Sequence, residues 1–209
     1  MTDKLSLYND AMLHLGEERL ASLSEASVAR YALDDAYSQA LKYCLEQGFW
    51  NFAIRAVQVD SSASVVPTFG YTYAFTMPSD FIRLYQISEN EDITPPLTWF
   101  TQETVYWYAN CDPLFVAYVS DDTAYGGDLS NWPQTFAEYV GLRLANRTCK
   151  RITGDAPSDH LVSMERKAKG VALSKDAMNG PIGFPPVGTW VNSRVSGISR
   201  RSRWDRNSP

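Results

Sequence analysis

The sequence predicts a mainly α protein with an inserted β domain, an α+β fold in which N- and C-terminal helix pairs form a helical bundle. An extended C-terminal arm completes it. Three observations predict this. Apolar residues recur at helical spacing near both ends of the chain. They alternate with a period of two through the middle. After residue 180 they give way to a segment rich first in proline and then in arginine. The expected divisions are 1–50 for the first helices, 51–129 for the β-rich domain, 130–180 for the second helices and 181–209 for the arm.

The first helix is expected in "LSLYNDAMLHLG", where Leu5, Tyr8, Met12 and Leu15 share a face and Gly16 is a natural stop. His14 reads as an ordinary helix-face histidine. In "EERLASLSEAS", Ser24 is the expected N-cap, with Glu25 at the positive end of the helix dipole. A second helix then runs to Gln47. Its stripe is Val28, Tyr31, Ala32, Asp35, Ala36, Gln39, Ala40, Tyr43 and Cys44, and Gly48 ends it.

Phe49, Trp50 and Phe52 form an aromatic knot. From Phe52 to Val59 the apolar residues alternate, which predicts a strand. "SSASVVPTFG" is a polar, proline-broken loop. "YTYAFTMP" predicts a short strand closed by Pro78. "DFIRLYQISE" predicts a longer one, with Ile82, Leu84 and Gln86 on one side and Phe81, Arg83, Tyr85 and Ile87 on the other. Two or three more strands are expected before Asp121, broken at Pro95–Pro96 and Asp112–Pro113.

Helical spacing returns after Pro133, which suits a first-turn position. Phe136, Tyr139, Val140, Leu142 or Arg143, Leu144 and Cys149 follow the 3.6-residue period. A last helix is expected from Ser158 to Asn179, with Asp159 near its start, Lys175 near its end and Gly180 as the stop. "PIGFPPVGTWVNSRV" reads as extended backbone. "SGISRRSRWDRNSP" is too polar to pack a core, and is expected to order only on a partner.

Charge separates the arm from the rest. From Arg194 to Pro209, five Arg against one Asp make +4, which leaves −9 for the remainder of a chain whose formal net charge is −5. Such an acidic body argues against gripping duplex DNA over a broad surface, because phosphate neutralisation needs a wide basic footprint. Cys44, Cys111 and Cys149 lie far apart, with no metal or redox spacing. Without a leader-like start they predict reduced thiols in the cytosol, with Cys44 and Cys149 in the core. No stretch is long and apolar enough to span a membrane.

No nucleotide-binding, nucleophile-elbow or zinc-protease motif occurs, and His14 and His160 lack metal-ligand spacing. No catalytic residues, cofactor or metal are expected. The adjacent acidic pairs Glu17–Glu18, Asp34–Asp35 and Asp121–Asp122 read as solvated surface, since neighbours point apart on a helix or strand. Arg147, Lys150 and Arg151 on one helix and Arg166, Lys167 and Lys169 on the next offer a mild positive lining. Lys150, Arg151, Lys167 and Lys169 are the candidates to face a passing polyanion.

The order of these segments resembles a family. "DAMLHLGEERLASLSEAS", a long Ala/Tyr helix and "CLEQGFWNFAIRAV" are similar to the head-to-tail adaptor (connector) proteins of tailed bacteriophages, of the tail tubular protein A type. The matching residues are Ala11 to Gly16, Ser24 to Gln47, and Trp50, Phe52 and Ala53. "YTYAFTMPSDFIRLYQI" matches the family's tyrosine–proline–aspartate–arginine segment through Tyr73, Pro78, Asp80, Phe81 and Arg83. The helices from Pro133 to Asn179 match its C-terminal pair. The resemblance spans residues 5–180.

The resemblance implies a virion protein at the head–tail junction, assembled in the host cytoplasm. Its subunits would form a homo-oligomeric ring, typically of twelve copies, beneath the portal. The ring would extend the channel for viral double-stranded DNA and give tail or nozzle proteins a platform. The resemblance also implies a C-terminal segment that reaches the portal protein. In this sequence the arm residues Arg194, Arg200, Arg201, Arg203 and Arg206 are expected to pair with carboxylates there. Trp204 would be the buried anchor, with Val195 and Ile198 in smaller pockets. Two other functions compete: a nucleic-acid-binding virion protein using the basic tail, and a cell-wall hydrolase.

Overall fold

The computed structural model describes residues 3–180. The arm residues Arg194, Val195, Ile198, Arg200, Arg201, Arg203, Trp204 and Arg206 lie outside the described residues. Among those described, four α-helices and two three-stranded antiparallel sheets make a mixed α+β fold. The helices are α1 (Lys4–Leu15), α2 (Val28–Glu46), α3 (Gln134–Ile152) and α4 (Asp159–Asn179). The strands are β1 (Ile54–Val59), β2 (Tyr73–Thr76), β3 (Phe81–Ser88), β4 (Thr101–Glu103), β5 (Tyr106–Ala109) and β6 (Leu114–Ser120).

Helix α1 opens with a capping box. The Asp3 carboxylate accepts from the Ser6 backbone N–H at 2.7 Å, and the Ser6 hydroxyl oxygen accepts from the Asp3 N–H at 3.1 Å. It ends at Gly16, whose φ of 75° is the left-handed conformation glycine tolerates. Tyr8 and Met12 are buried as the spacing predicts, together with Leu7 and Ala11.

Helix α2 begins later than expected. Ser27, not Ser24, is its N-cap, accepting from the Arg30 N–H at 3.3 Å. Glu25 instead accepts from the Ala21 N–H at 2.9 Å and closes a loop before the helix. The buried stripe is also rotated from the expected one. Leu33, Leu41 and Leu45 turn inward with Ala32, Ala36, Ala40 and Cys44, while Val28, Tyr31 and Asp35 stay exposed. Leucine's larger apolar gain decides the rotation, since tyrosine can remain at the rim with its hydroxyl in water. Gly48 is not a left-handed stop. A Cβ there would lie 2.5 Å from Leu173 Cδ2, so this glycine allows α4 to approach closely.

Asp34 is not simple surface either. It ties α1 to α2 by accepting from Tyr8 Oη (2.7 Å), Lys4 Nζ (3.0 Å) and Arg30 Nη1 (2.7 Å). Burial alone would raise its carboxyl, but these three hydrogen bonds outweigh that and bring it down to about 2.

Helix α3 is central, packing against α1, α2 and α4. Phe136, Tyr139, Val140, Leu142, Leu144 and Cys149 are buried along it. The aromatic knot closes on it: Trp50 lies 4.7 Å from Phe136 between ring centroids, Phe52 lies 4.9 Å away and Trp132 5.1 Å. Trp50 Nε1 donates to the Cys44 carbonyl at 3.0 Å, which satisfies the indole inside the core. Asn51–Ala53 form a 3-10 turn, so β1 starts at Ile54 rather than at Phe52.

The strands pair in the orders β1–β6–β3 and β2–β5–β4. Strand β6 is buried on both faces: Val119 joins the helical core, and Tyr118 joins a second core with Phe75, Trp107 and Val116. The first sheet therefore separates two apolar layers. Strand β3 breaks the predicted alternation through register shifts between Phe81 and Arg83 and between Leu84 and Gln86. Ile82 consequently packs on the helical core, while Phe81 and Leu84 pack on the second. No described helix is long and apolar enough to cross a membrane.

Candidate functional site

Two features of the described surface bear on function: where its large apolar side chains are exposed, and where its cations gather. Apolar exposure falls on both parts of the fold. Leu13 of α1 (75% exposed), Val28 of α2 and Met178 of α4 (72%) mark the helical part. Phe69 (86%), Val66 and Trp99 (79%) mark the loops beside β2, β4 and β5. Val66, Phe69, Tyr71 and Tyr108 line a groove of about 200 Å³ there, and the Tyr71 and Thr101 hydroxyls meet across it at 2.9 Å.

The four basic residues expected to form one lining do not converge. Lys150 and Arg151 sit in the last turn of α3, where cations complement the helix dipole. Arg151 pairs with Asp35 of α2 at 2.6 Å. Lys167 is exposed on α4, and Lys169 donates to Gln47 Oε1 at 2.6 Å. Helices α3 and α4 run past one another, with Asn146 level with Leu161 and Glu165. The pair on α3 and the pair on α4 therefore lie on opposite sides of that level, roughly 15 Å apart along the helices at ~1.5 Å per residue.

A different set of polar groups does converge. Between α2, α3 and α4 lies a cleft of about 250 Å³, lined by Tyr43, Tyr139, Arg143, Glu165, Arg166 and Lys169. Arg143 Nη1 donates to Glu165 Oε1 at 3.3 Å, and the guanidinium lies 3.8 Å over the Tyr43 ring. Asn146 Nδ2 donates to Glu165 Oε2 at 2.7 Å. Tyr139 Oη, Arg143 Nε and Asn146 Oδ1 are buried without a hydrogen-bond partner. The Tyr139 hydroxyl sits beside the Cys44 thiol, outside hydrogen-bond geometry, and burial pushes that phenol up. Burial likewise pushes the Cys44 thiol up to about 12, which makes it an inert core thiol rather than a nucleophile. Sequence reasoning missed this cleft. Two of its cations, Arg166 and Lys169, were expected in a positive lining, but with the wrong neighbours; the signal for the third was Arg143, a cation that competes with Leu142 for a place on the apolar stripe of α3.

A second polar cluster, around Asp80, is structural. Its carboxylate accepts from Arg55 Nη1 at 2.9 Å, from Tyr118 Oη at 3.1 Å and from the Ser120 hydroxyl, joining β1, β3 and β6. Every member is satisfied within the protein. Among the described residues, no three His, Cys, Asp or Glu side chains gather in a metal-binding group. His14 is half-buried and His160 exposed, on different helices. Comparison with protein-family models and with curated proteins finds no match for this chain.

Proposed function

We propose that this chain is a structural adaptor of a tailed bacteriophage, acting as one subunit of a ring between the portal protein and the tail or nozzle proteins. The observation that carries the reading is apolar exposure on both parts of the fold, at Leu13, Val28 and Met178 and at Val66, Phe69 and Trp99. A ring subunit needs two different surfaces that meet head-to-tail and close by rotation. Large apolar side chains left exposed on a lone subunit supply the contact area such surfaces need on assembly.

In this reading the helix pairs from both ends of the chain are the bundle, and residues 51–129 are an inserted domain directed toward the tail. Twelve copies would surround a channel for double-stranded DNA at the head–tail junction. A mostly acidic body repels phosphate, which suits a conduit that must pass DNA without holding it. The arm of residues 181–209 docks on the portal, with Trp204 as anchor and its arginines pairing with carboxylates. One arm binds weakly, and a ring of arms binds with avidity.

The test is electron microscopy of the purified chain mixed with its portal, with and without the residues after Val191. The intact chain is expected to form rings on the portal and the truncated one to lose them. Equal assembly by both would refute arm docking. Loss of DNA retention alone would favour nucleic-acid binding, and loss of neither with solubilisation of cell-wall material would favour a hydrolase.

A further inference from the structure

We infer that the cleft between α2, α3 and α4 is a binding site for a small phosphate oxyanion, a property independent of the ring-adaptor reading. Three cations, Arg143, Arg166 and Lys169, line it against a single carboxylate, Glu165. The lining is therefore net positive by two, on a chain whose portion before Arg194 carries −9. Such a concentration of positive charge runs against the field of the surrounding body.

The carboxylate is already committed. One oxygen of Glu165 accepts from Arg143 Nη1 and the other from Asn146 Nδ2. Arg143 Nε is left buried with its proton unused, and so is the Tyr139 hydroxyl, on a residue only 1% exposed. Lys169 gives one of its three protons to Gln47 and keeps two. Native proteins retain buried donors without acceptors where a ligand, an ion or water completes them. The uncommitted groups are mostly donors, which selects an anion over a cation.

Size and charge narrow the class. Sites for drug-sized ligands run to about 300–1,000 Å³, so a cleft of about 250 Å³ suits a small ion with its waters. A phosphate with its second ionisation near pH 6 is close to a dianion at neutral pH and matches the excess of two charges. Its several oxygens can each take a donor from a different helix. Arginine held over Tyr43 presents its planar edge in a fixed orientation, which favours an oxyanion over chloride. The depth of Tyr139 favours a free or terminal phosphate over a phosphodiester flanked by two sugars.

The test is thermal unfolding of the full chain in inorganic phosphate against sodium chloride of equal ionic strength at pH 7.5. At a phosphate concentration about ten times Kd, the midpoint should rise by about 3–5 °C over the chloride control. Arg166→Gln, on an exposed residue that should not disturb folding, and Lys169→Gln should each remove at least half of that rise. No rise beyond chloride, or an undiminished rise in both variants, overturns the site. A short oligonucleotide with and without a 5′-phosphate then identifies the source. A rise that needs the 5′-phosphate and is lost in Arg166→Gln assigns a terminal phosphate; a rise from both oligonucleotides with the same loss assigns the phosphodiester. Failure of the chain to bind a portal would leave each of these readouts intact.

Discussion

The Asp176 carboxylate accepts the backbone N–H of Asn51 at 3.0 Å, and the Asn51 side-chain amide donates to the Asp176 carbonyl at 2.7 Å, across 125 residues of sequence. This exchange fixes the C-terminal end of α4 against the turn that carries Trp50 and Phe52. Asp176 is buried, and the hydrogen-bond donors facing it, the backbone and side chain of Asn51, are amides that carry no charge. Burial therefore raises its carboxyl above the ordinary range, and the Asn51 hydrogen bonds only partly offset this.

A sign follows for pH. A carboxyl raised on folding binds its proton more tightly in the native state, so its contribution falls as pH rises from the ordinary carboxylate value through the raised one. Asp176→Asn keeps one acceptor for Asn51 and removes the titration. The stability of the native chain minus that of the variant should be larger at pH 4 than at pH 7. Urea unfolding at both values measures this, and a difference constant with pH would show that the buried carboxylate does not titrate in this way.

Asp80 should behave in the opposite sense. Burial pushes its carboxyl up, but hydrogen bonds from Ser120, Arg55 and Tyr118 win and hold it below the ordinary value. Its contribution is complete above the ordinary carboxylate range and is lost as pH falls through the depressed value. Asp80→Ala also strands a partly buried Arg55, and should cost about 3 kcal/mol at pH 7. The same urea experiment at pH 3 should show a smaller gap between native and variant chains. An equal gap at both pH values would contradict the assignment.

Periodicity carried most of the helical part. Gly16, Pro133 and Gly180 bracket α1, α3 and α4 within a residue or two, because caps and stops act locally. Position along the stripe of α2 was not legible, since Val28, Tyr31 and Leu33 are all apolar and only tertiary packing selects among them. Strand β3 misled because a bulge is a property of pairing with β6 and leaves no mark on the strand's own alternation. The cleft was hidden for a related reason. Tyr43, Arg143 and Lys169 are brought together by three helices; the sequence marked Arg143 as out of place and Lys169 as a candidate cation, but nothing in it paired the two. The roles of Asp34 and Gly48 were equally invisible, as both depend on what lies across an interface.

Two glycines should separate sharply on substitution by alanine. At Gly126 a Cβ would lie 2.3 Å from the Ser120 carbonyl oxygen and 3.1 Å from both Ala53 Cβ and Leu45 Cδ1, so backbone must move. That backbone also presents the Gly126 carbonyl to Trp132 Nε1 at 2.9 Å, which ties the turn to the aromatic knot. At Gly48 the nearest atom is Leu173 Cδ2 at 2.5 Å, the tip of a half-buried and adaptable side chain, and the buried Trp50 ring at 3.1–3.2 Å has to give by only a few tenths of an ångström. Gly126→Ala should cost about 3 kcal/mol and Gly48→Ala about 1 kcal/mol, on the scale of overpacked cores. Chemical denaturation ranks them; an equal or reversed order would mean that the Gly126 turn yields freely.

The three cysteines offer a native-state probe of α2 and α3. Cys44 is fully buried, with its thiol pushed up to about 12, and Cys149 is also buried. Cys111, after β5, is half-buried, and burial raises its thiol less severely than that of Cys44. Thiolate fraction and access together set the rate of thiol modification. At pH 8 a disulfide reagent should therefore label Cys111 first. Cys44 should react only through opening of the helical core, at a rate that follows its stability. Phe136→Ala removes the ring at the centre of the aromatic knot and should cost about 3–5 kcal/mol. If core opening governs access, that variant should speed Cys44 labelling by a hundredfold or more (~1.4 kcal/mol per tenfold) while leaving Cys111 nearly unchanged. Prompt labelling of Cys44 in the unsubstituted chain would show instead that Cys44 reaches solvent without opening of the core.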